Sequence, residues 1–370
     1  AEFDRGYVRI QGANQHRKSG EPQKENKPCL NRYILCDFCA GGSTLCPPQT
    51  AYSAYSKKAQ RKAHTLFEVR PLKGQLNRCT LCPRRCGADR AHGQTGVCGQ
   101  TDKIKAARAS LHMWEEPCIS GTKGSGTVFF SGCGLRCVYC QNASIVNGDG
   151  GIVSKDELGE IFLKLQGAGA HNINLVTPLH FAPQIADAVL SVRDRLLIPV
   201  AVNCGGYELA DTLKIFDGIA DIYLPDFKYA FSETAEKYSN APDYPEVAKA
   251  AVAEMVRQIP ETVFDKNGIM QRGVIVRNLL LPGSLKNSKA VVKYLSETYG
   301  GSIILSLMCQ YTPMKTPFAE LDFKTPAREY EKLIDYAEKL GVKRAYIQDS
   351  ESSSAEFIPK FGKNSIILDF

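Results

Sequence analysis

From residue 126 to residue 348 the chain alternates short apolar runs with longer amphipathic stretches. That alternation constrains its fold more than any single residue. Strands are predicted at 127–131, 172–177, 199–203, 221–225, 273–281, 303–308 and 344–348. Amphipathic helices are predicted between them at 155–166, 183–193, 208–216, 246–258, 287–299 and 326–340. Apolar strands taking turns with helices read as parallel strands joined by crossover helices. Six or seven such units are too few to close an eight-fold barrel, so the expected fold is α/β, a partial (β/α)6 TIM-type barrel. In such a barrel the ligand-binding groups stand at the C-terminal ends of the strands.

The first predicted strand ends in Ser131-Gly132 and runs into Cys133-Gly-Leu-Arg-Cys137-Val-Tyr-Cys140. Three thiolates this close can hold three irons of a [4Fe–4S] cube, because soft sulfur ligands suit iron–sulfur chemistry. Gln141 and Asn142 follow and are poor iron ligands, so one iron is left open for a substrate or cofactor. A zinc knot is the alternative. Zinc sites usually show two C-x2-C pairs, and a strand-then-loop context fits them poorly.

The C-x3-C-x2-C spacing with an aromatic residue before the last cysteine resembles the radical S-adenosylmethionine (SAM) superfamily. The resemblance implies a [4Fe–4S] cluster on Cys133, Cys137 and Cys140, with SAM chelating the open iron. One electron would then break SAM to a 5′-deoxyadenosyl radical, with a low-potential donor such as flavodoxin or ferredoxin as partner. The other strand ends supply candidate SAM contacts. They are the backbone at Tyr139, Thr177 in Thr177-Pro-Leu-His180, Asn203 with Gly205 and Gly206 in Asn203-Cys-Gly-Gly-Tyr207, Asp226 and Lys228, and Arg277. Paired glycines allow close backbone approach, whether to a ligand or in an ordinary turn. Asp226 and Lys228, two apart on extended chain, point to the same side. Arg277 lies in an apolar run and needs an anion, either the SAM carboxylate or a protein acid such as Asp226. His180 reads equally as a ligand contact or a packing residue.

The Asp-x-Lys pair and the strand Val-Arg277-Asn-Leu-Leu-Leu-Pro282-Gly283 resemble the pyruvate formate-lyase activating enzymes. In that family Asp-x-Lys serves a monovalent cation and the SAM carboxylate. The family's other cation-site acid is matched here by Asn203, which speaks against a cation. A closer likeness is to the uncharacterised activating-enzyme-like iron–sulfur proteins. It rests on Cys79–Cys86, on Trp114-Glu-Glu-Pro-Cys-Ile-Ser-Gly121, on the cluster motif and on Asn174-Leu-Val-Thr-Pro178. This likeness spans about residues 77–360.

Ahead of the barrel the chain is organised differently. Residues 1–28 are polar and read as a disordered tail. Residues 29–126 form a cysteine-rich N-terminal module with one predicted helix at 51–68, and 127–370 hold the barrel and a C-terminal extension. Cys79, Cys82, Cys86 and Cys98 are predicted to bind a second metal, zinc or an iron–sulfur cluster. Cys29, Cys36, Cys39 and Cys46 form a second set that reads either as ligands or as free thiols. Cys118, Cys204 and Cys309 read as buried thiols. Fourteen cysteines at metal-type spacings, without a signal peptide or a run of ~20 apolar residues, point to a cytoplasmic protein and not to a membrane one. The net charge of +7 comes without an aromatic-interleaved basic motif, so nucleic acid is not the expected partner. Three functions remain open: hydrogen abstraction from a protein glycine, radical modification of RNA or a small metabolite, and a non-catalytic iron–sulfur carrier.

Overall fold

The structure, a computed structural model, describes residues 7–9, 76–348 and 359–370. Cys29, Cys36, Cys39, Cys46 and the helix expected at 51–68 lie outside the described residues. Twelve strands make up the sheet: β1 (Tyr7–Arg9), β2 (Lys105–His112), β3 (Ser125–Phe130), β4 (Gly151–Ile152), β5 (Ile173–Val176), β6 (Val200–Cys204), β7 (Ile222–Pro225), β8 (Val263–Phe264), β9 (Met270–Leu279), β10 (Ile304–Met308), β11 (Ala345–Gln348) and β12 (Ile367–Asp369). The helices are α1 (Pro117–Ser120), α2 (Ala143–Val146), α3 (Lys155–Gly167), α4 (Ala182–Ser191), α5 (Ala210–Leu213), α6 (Ser232–Ser239), α7 (Tyr244–Gln258), α8 (Leu285–Tyr299) and α9 (Ala327–Lys339).

Parallel pairing runs β3-β5-β6-β7-β9-β10-β11, which is the curved wall expected of a partial barrel. Every residue of β3, β5, β6, β7 and β10 is buried, as strands covered on both faces require. Crossover helices supply the outer cover. In α3 a capping box between Ser154 and Glu157 starts the helix and Leu158, Ile161, Phe162 and Leu165 face inward.

The two edges differ from expectation. β2 pairs antiparallel along β3 and also carries β4 and β12, so the sheet begins well before residue 127. Within the stretch read as a tail, β1 pairs antiparallel with β11.

Between β2 and β3 the chain does not turn at once. It runs inside the barrel, where α1 places Cys118 and Ile119 against Ala201, Ile222, Leu224, Ile275 and Ile304 from four strands. Asn172 donates to the Ile119 carbonyl at 2.8 Å and accepts from Ser125 at 2.6 Å, which fixes the plug to the wall. Gly121 must be glycine: its φ is +49°, and a Cβ would meet Ile269 and His171 at about 2.4–2.5 Å. This plug fills the barrel's lower half and leaves a cavity above it. Ile119 is fully buried, so Ile119→Ala should lower unfolding free energy by roughly 2–5 kcal/mol. Denaturant unfolding checks this.

Candidate active site

The cavity, about 290 Å³, opens at the C-terminal ends of the parallel strands. Cys133, Cys137 and Cys140 line it from the loop after β3, and Tyr139, Thr177, Asn203, Gly205, Asp226, Lys228 and Arg277 line it from the other strand ends. Gly206 is not on this wall. Its φ is +83°, and a Cβ there would strike the Asp226 carbonyl and the Tyr244 hydroxyl. The close approach that demands glycine at 206 is therefore to the protein's own backbone.

The loop is held from several sides. Arg136 turns at φ +53°, which lets the chain fold back between Cys133 and Cys137. Backbone amides of Arg136 and Leu135 face the Cys133 sulfur, and that of Asn142 faces Cys140. Ser239, in the last turn of α6, donates to Cys137 Sγ at 3.0 Å. Ser239 in turn pairs with Tyr229, and Tyr229 with Tyr139, each at 2.7 Å. The Tyr139 ring is thus a buried anchor of the loop, edge-on to Tyr238 and Tyr311. Burial pushes the Cys133 thiol up to about 11 and the Cys140 thiol up to about 12.

Across the cavity lies an ion network. Lys228 Nζ is 2.6 Å from Asp226 Oδ2 and within the field of Cys137 and Cys140. Arg277 donates from Nε to Asp226 Oδ1 at 2.9 Å, from one terminal nitrogen to Glu115 Oε2 at 3.3 Å, and from the other to Asn203 Oδ1 at 2.5 Å. Arg277 therefore has protein anions of its own, the second of the two partners considered for it. Burial would raise Asp226, but Lys228 and Arg277 outweigh it and hold the carboxyl below its ordinary range. Thr177, a β-branched residue at φ +58°, holds its strained position by donating its amide to the Asn203 carbonyl at 2.8 Å.

His180 belongs to the packing. Its Nε2 donates to the Ser131 carbonyl at 2.7 Å, its own carbonyl accepts from Arg90, and burial beside Arg90 pulls the ring down to about 3. Cys118, Cys204 and Cys309 are buried as expected. Glu115, Glu116 and Glu208 also line the cavity, and the strand-end reading passed over all three. The two adjacent acids before Pro117, in a segment otherwise rich in buried residues, were the available signal for the first pair.

Cys79, Cys82, Cys86 and Cys98 gather beside the cluster loop. Amides two residues downstream face three of these sulfurs: Arg84 to Cys82, Ala88 to Cys86 and Gln100 to Cys98. Arg84 extends from this group to the Gly134 and Ser239 carbonyls at 2.9 and 2.7 Å, and Thr212 donates to the Leu81 carbonyl at 2.7 Å. Among the described residues, no three His, Cys, Asp or Glu side chains stand close enough, as placed, to hold a metal ion. No described helix is long and apolar enough to cross a membrane.

The stretch from β3 into β8, residues 127–266, matches the radical SAM superfamily. Residues 127–266 form a radical SAM domain. The superfamily implies an enzyme with a [4Fe–4S] cluster and SAM. An uncharacterized protein of Methanocaldococcus jannaschii is 26% identical over 300 residues, covering 76% of this chain and 80% of that protein. The crystal structure of methylornithine synthase (PylB) superposes with a TM-score of 0.40 and 15% identity, over 62% of this chain and 72% of that one. Within the radical SAM domain, three thiols on one loop, amide donors at their sulfurs and a lysine facing two of them fit a three-cysteine cluster.

Asp226→Asn should leave Lys228 without its anion while Arg277 keeps Glu115, and should cost up to roughly 3 kcal/mol. Because the folded-state pKa of Asp226 is depressed, its stabilisation is present above the ordinary aspartate range. It fades as pH falls through the lower folded value. Unfolding measured from pH 7 down to pH 3 should show a loss in the parent that is smaller in the variant.

Proposed function

We propose that the chain is a radical SAM enzyme in which Cys133, Cys137 and Cys140 hold the cluster and the strand ends from β5 to β9 hold SAM. The observation that carries the reading is the meeting of those three cysteines with Asp226, Lys228 and Arg277 around one cavity. The bound pair would supply reductive cleavage of SAM to a 5′-deoxyadenosyl radical, given an electron from a donor such as flavodoxin or ferredoxin.

The chain's own residues position and shield. Lys228, steadied by Asp226, offers an ammonium to the carboxylate of SAM, and Gly205 leaves the wall open beside it. Ser239 presents a hydroxyl to Cys137, and hydrogen bonds to cluster sulfurs tune reduction potential. Tyr139, Tyr229 and Tyr311 exclude water behind the loop. Arg277, occupied by Asp226, Glu115 and Asn203, sets the shape of the network and does not present a free charge to SAM.

Hydrogen abstraction from a protein glycine rests on the sequence likeness of the Asp226–Lys228 pair and Arg277 to the activating enzymes. An ion network of this kind also suits a small substrate, so the glycine reading stands on that likeness alone. A carrier role leaves the Lys228 network without a purpose.

The four cysteines of the N-terminal module form a second site in this proposal. Amides at i+2 of Cys82, Cys86 and Cys98 are the donors that thiolates of a closed tetrahedral metal use. Zinc or an iron–sulfur cluster there would brace Arg84 against the cluster loop.

Three experiments test these assignments. Anaerobic reconstitution should yield 5′-deoxyadenosine, and alanine at Cys133, Cys137 and Cys140 together should abolish it. Lys228→Ala should weaken SAM binding about ten- to hundredfold with the cluster intact, as loss of a charge-assisted bond worth roughly 1.5–3 kcal/mol requires. Metal analysis of the triple alanine variant should still find zinc or iron on the second group. Finding neither would remove the second site.

A further inference from the structure

The floor of the cavity holds more carboxyl groups than its cations answer, and burial raises three of them, Glu115, Glu116 and Glu208, the last to about 7. Four carboxylates line the chamber, Glu115, Glu116, Glu208 and Asp226, against two permanent cations, Lys228 and Arg277. The two lining histidines add nothing, because burial draws His112 down to about 4 and His180 to about 3. Lys228 and Arg277 are committed to Asp226 and Glu115.

Glu116 is the least answered of these carboxyl groups. It is 1% exposed, and neither of its carboxylate oxygens has a hydrogen-bond partner. Ser306 Oγ and the Glu116 amide come near enough to ease its charge, but neither reaches hydrogen-bonding geometry. Ser306 Oγ and Asn174 Oδ1 are likewise buried without a partner beside the pair. Protonation would not resolve this, since a neutral carboxyl buried without a bond also carries a desolvation cost. A site that keeps such a group gains from it only when a complementary ligand arrives.

We infer that Glu116, on the cavity floor near Arg277 of β9 and Ser306 of β10, binds a cationic nitrogen of the substrate, a primary ammonium group. An ammonium brings three donors to this set of unanswered acceptors. A hard metal ion would demand six or more oxygens, more than the Glu116 carboxyl and its unpartnered neighbours Ser306 and Asn174 present. The inference rests on the cavity being the substrate chamber of the proposed radical SAM enzyme.

Trp114, the chain's single tryptophan, lines the same cavity and reports on its contents. Anaerobically reconstituted protein with saturating SAM is titrated with n-butylammonium chloride, n-pentanol and potassium chloride, read by Trp114 fluorescence. Butylammonium should give a saturable change, with pentanol and potassium giving none. Glu116→Gln and Glu116→Leu should weaken butylammonium binding at least about tenfold. Both variants should melt no lower than the parent, since each removes an unpartnered buried carboxylate. Equal responses to amine and alcohol, saturation by potassium alone, undiminished binding in the variants, or a lowered melting temperature in both would each overturn the assignment. Because 5′-deoxyadenosine formation is assayed separately, failure here leaves the radical SAM reading standing.

Discussion

Arg277 is the residue on which the chamber depends. It sits near the C-terminal end of β9, between Val276 and Asn278, and its guanidinium reaches three directions at once: Asp226 after β7, Asn203 in β6 and Glu115 from the segment below. A guanidinium in a largely apolar barrel is tolerated only when its charge and its donors are all answered. Answering them draws three wall strands and the floor to fixed distances. Lys228 is then placed by Asp226, and through Asp226 by Arg277. The distance from floor to cluster loop follows from this one arginine.

Much of this was legible in the chain. Burial on both faces forced continuous apolar strands, and amphipathic crossovers kept their period, so the seven parallel strands could be read within a few residues. The cluster loop was legible because its ligands are adjacent in sequence. The same-side geometry of Asp226 and Lys228 follows from the pleat alone. The partner of Arg277 was open between cofactor and protein, and the nearest neighbours turned out to be acids from distant segments. Glu115 lies 162 residues away along the chain, which no local period encodes.

The plug escaped for a different reason. Residues 113–124 have no long helix and no alternation, so they read as irregular linker. Their structure is imposed by the interior they fill: Ile119 and Cys118 complete a core whose other members come from β6, β7, β9 and β10. Pro117 starts the short helix without needing a donor, and Gly121 ends it in a conformation other residues strain to adopt. Gly205 and Gly206 show a related point. Both read as ligand-facing, yet one borders the cavity while the other is shaped by a carbonyl behind it.

The plug also separates two halves of the chamber along the gene. The cysteines, Asn203, Asp226 and Lys228 fall within residues 127–266, whereas Glu115 and Glu116 precede that stretch and Arg277 follows it. During synthesis the floor therefore leaves the ribosome before any of the parallel strands, and the barrel must be wrapped around a piece already made. An exchange of the 127–266 segment between relatives would carry the three loop cysteines, Asp226 and Lys228 across together and leave Arg277 and the floor behind. Such a recombination would set an unchanged cysteine loop over a different floor in a single step.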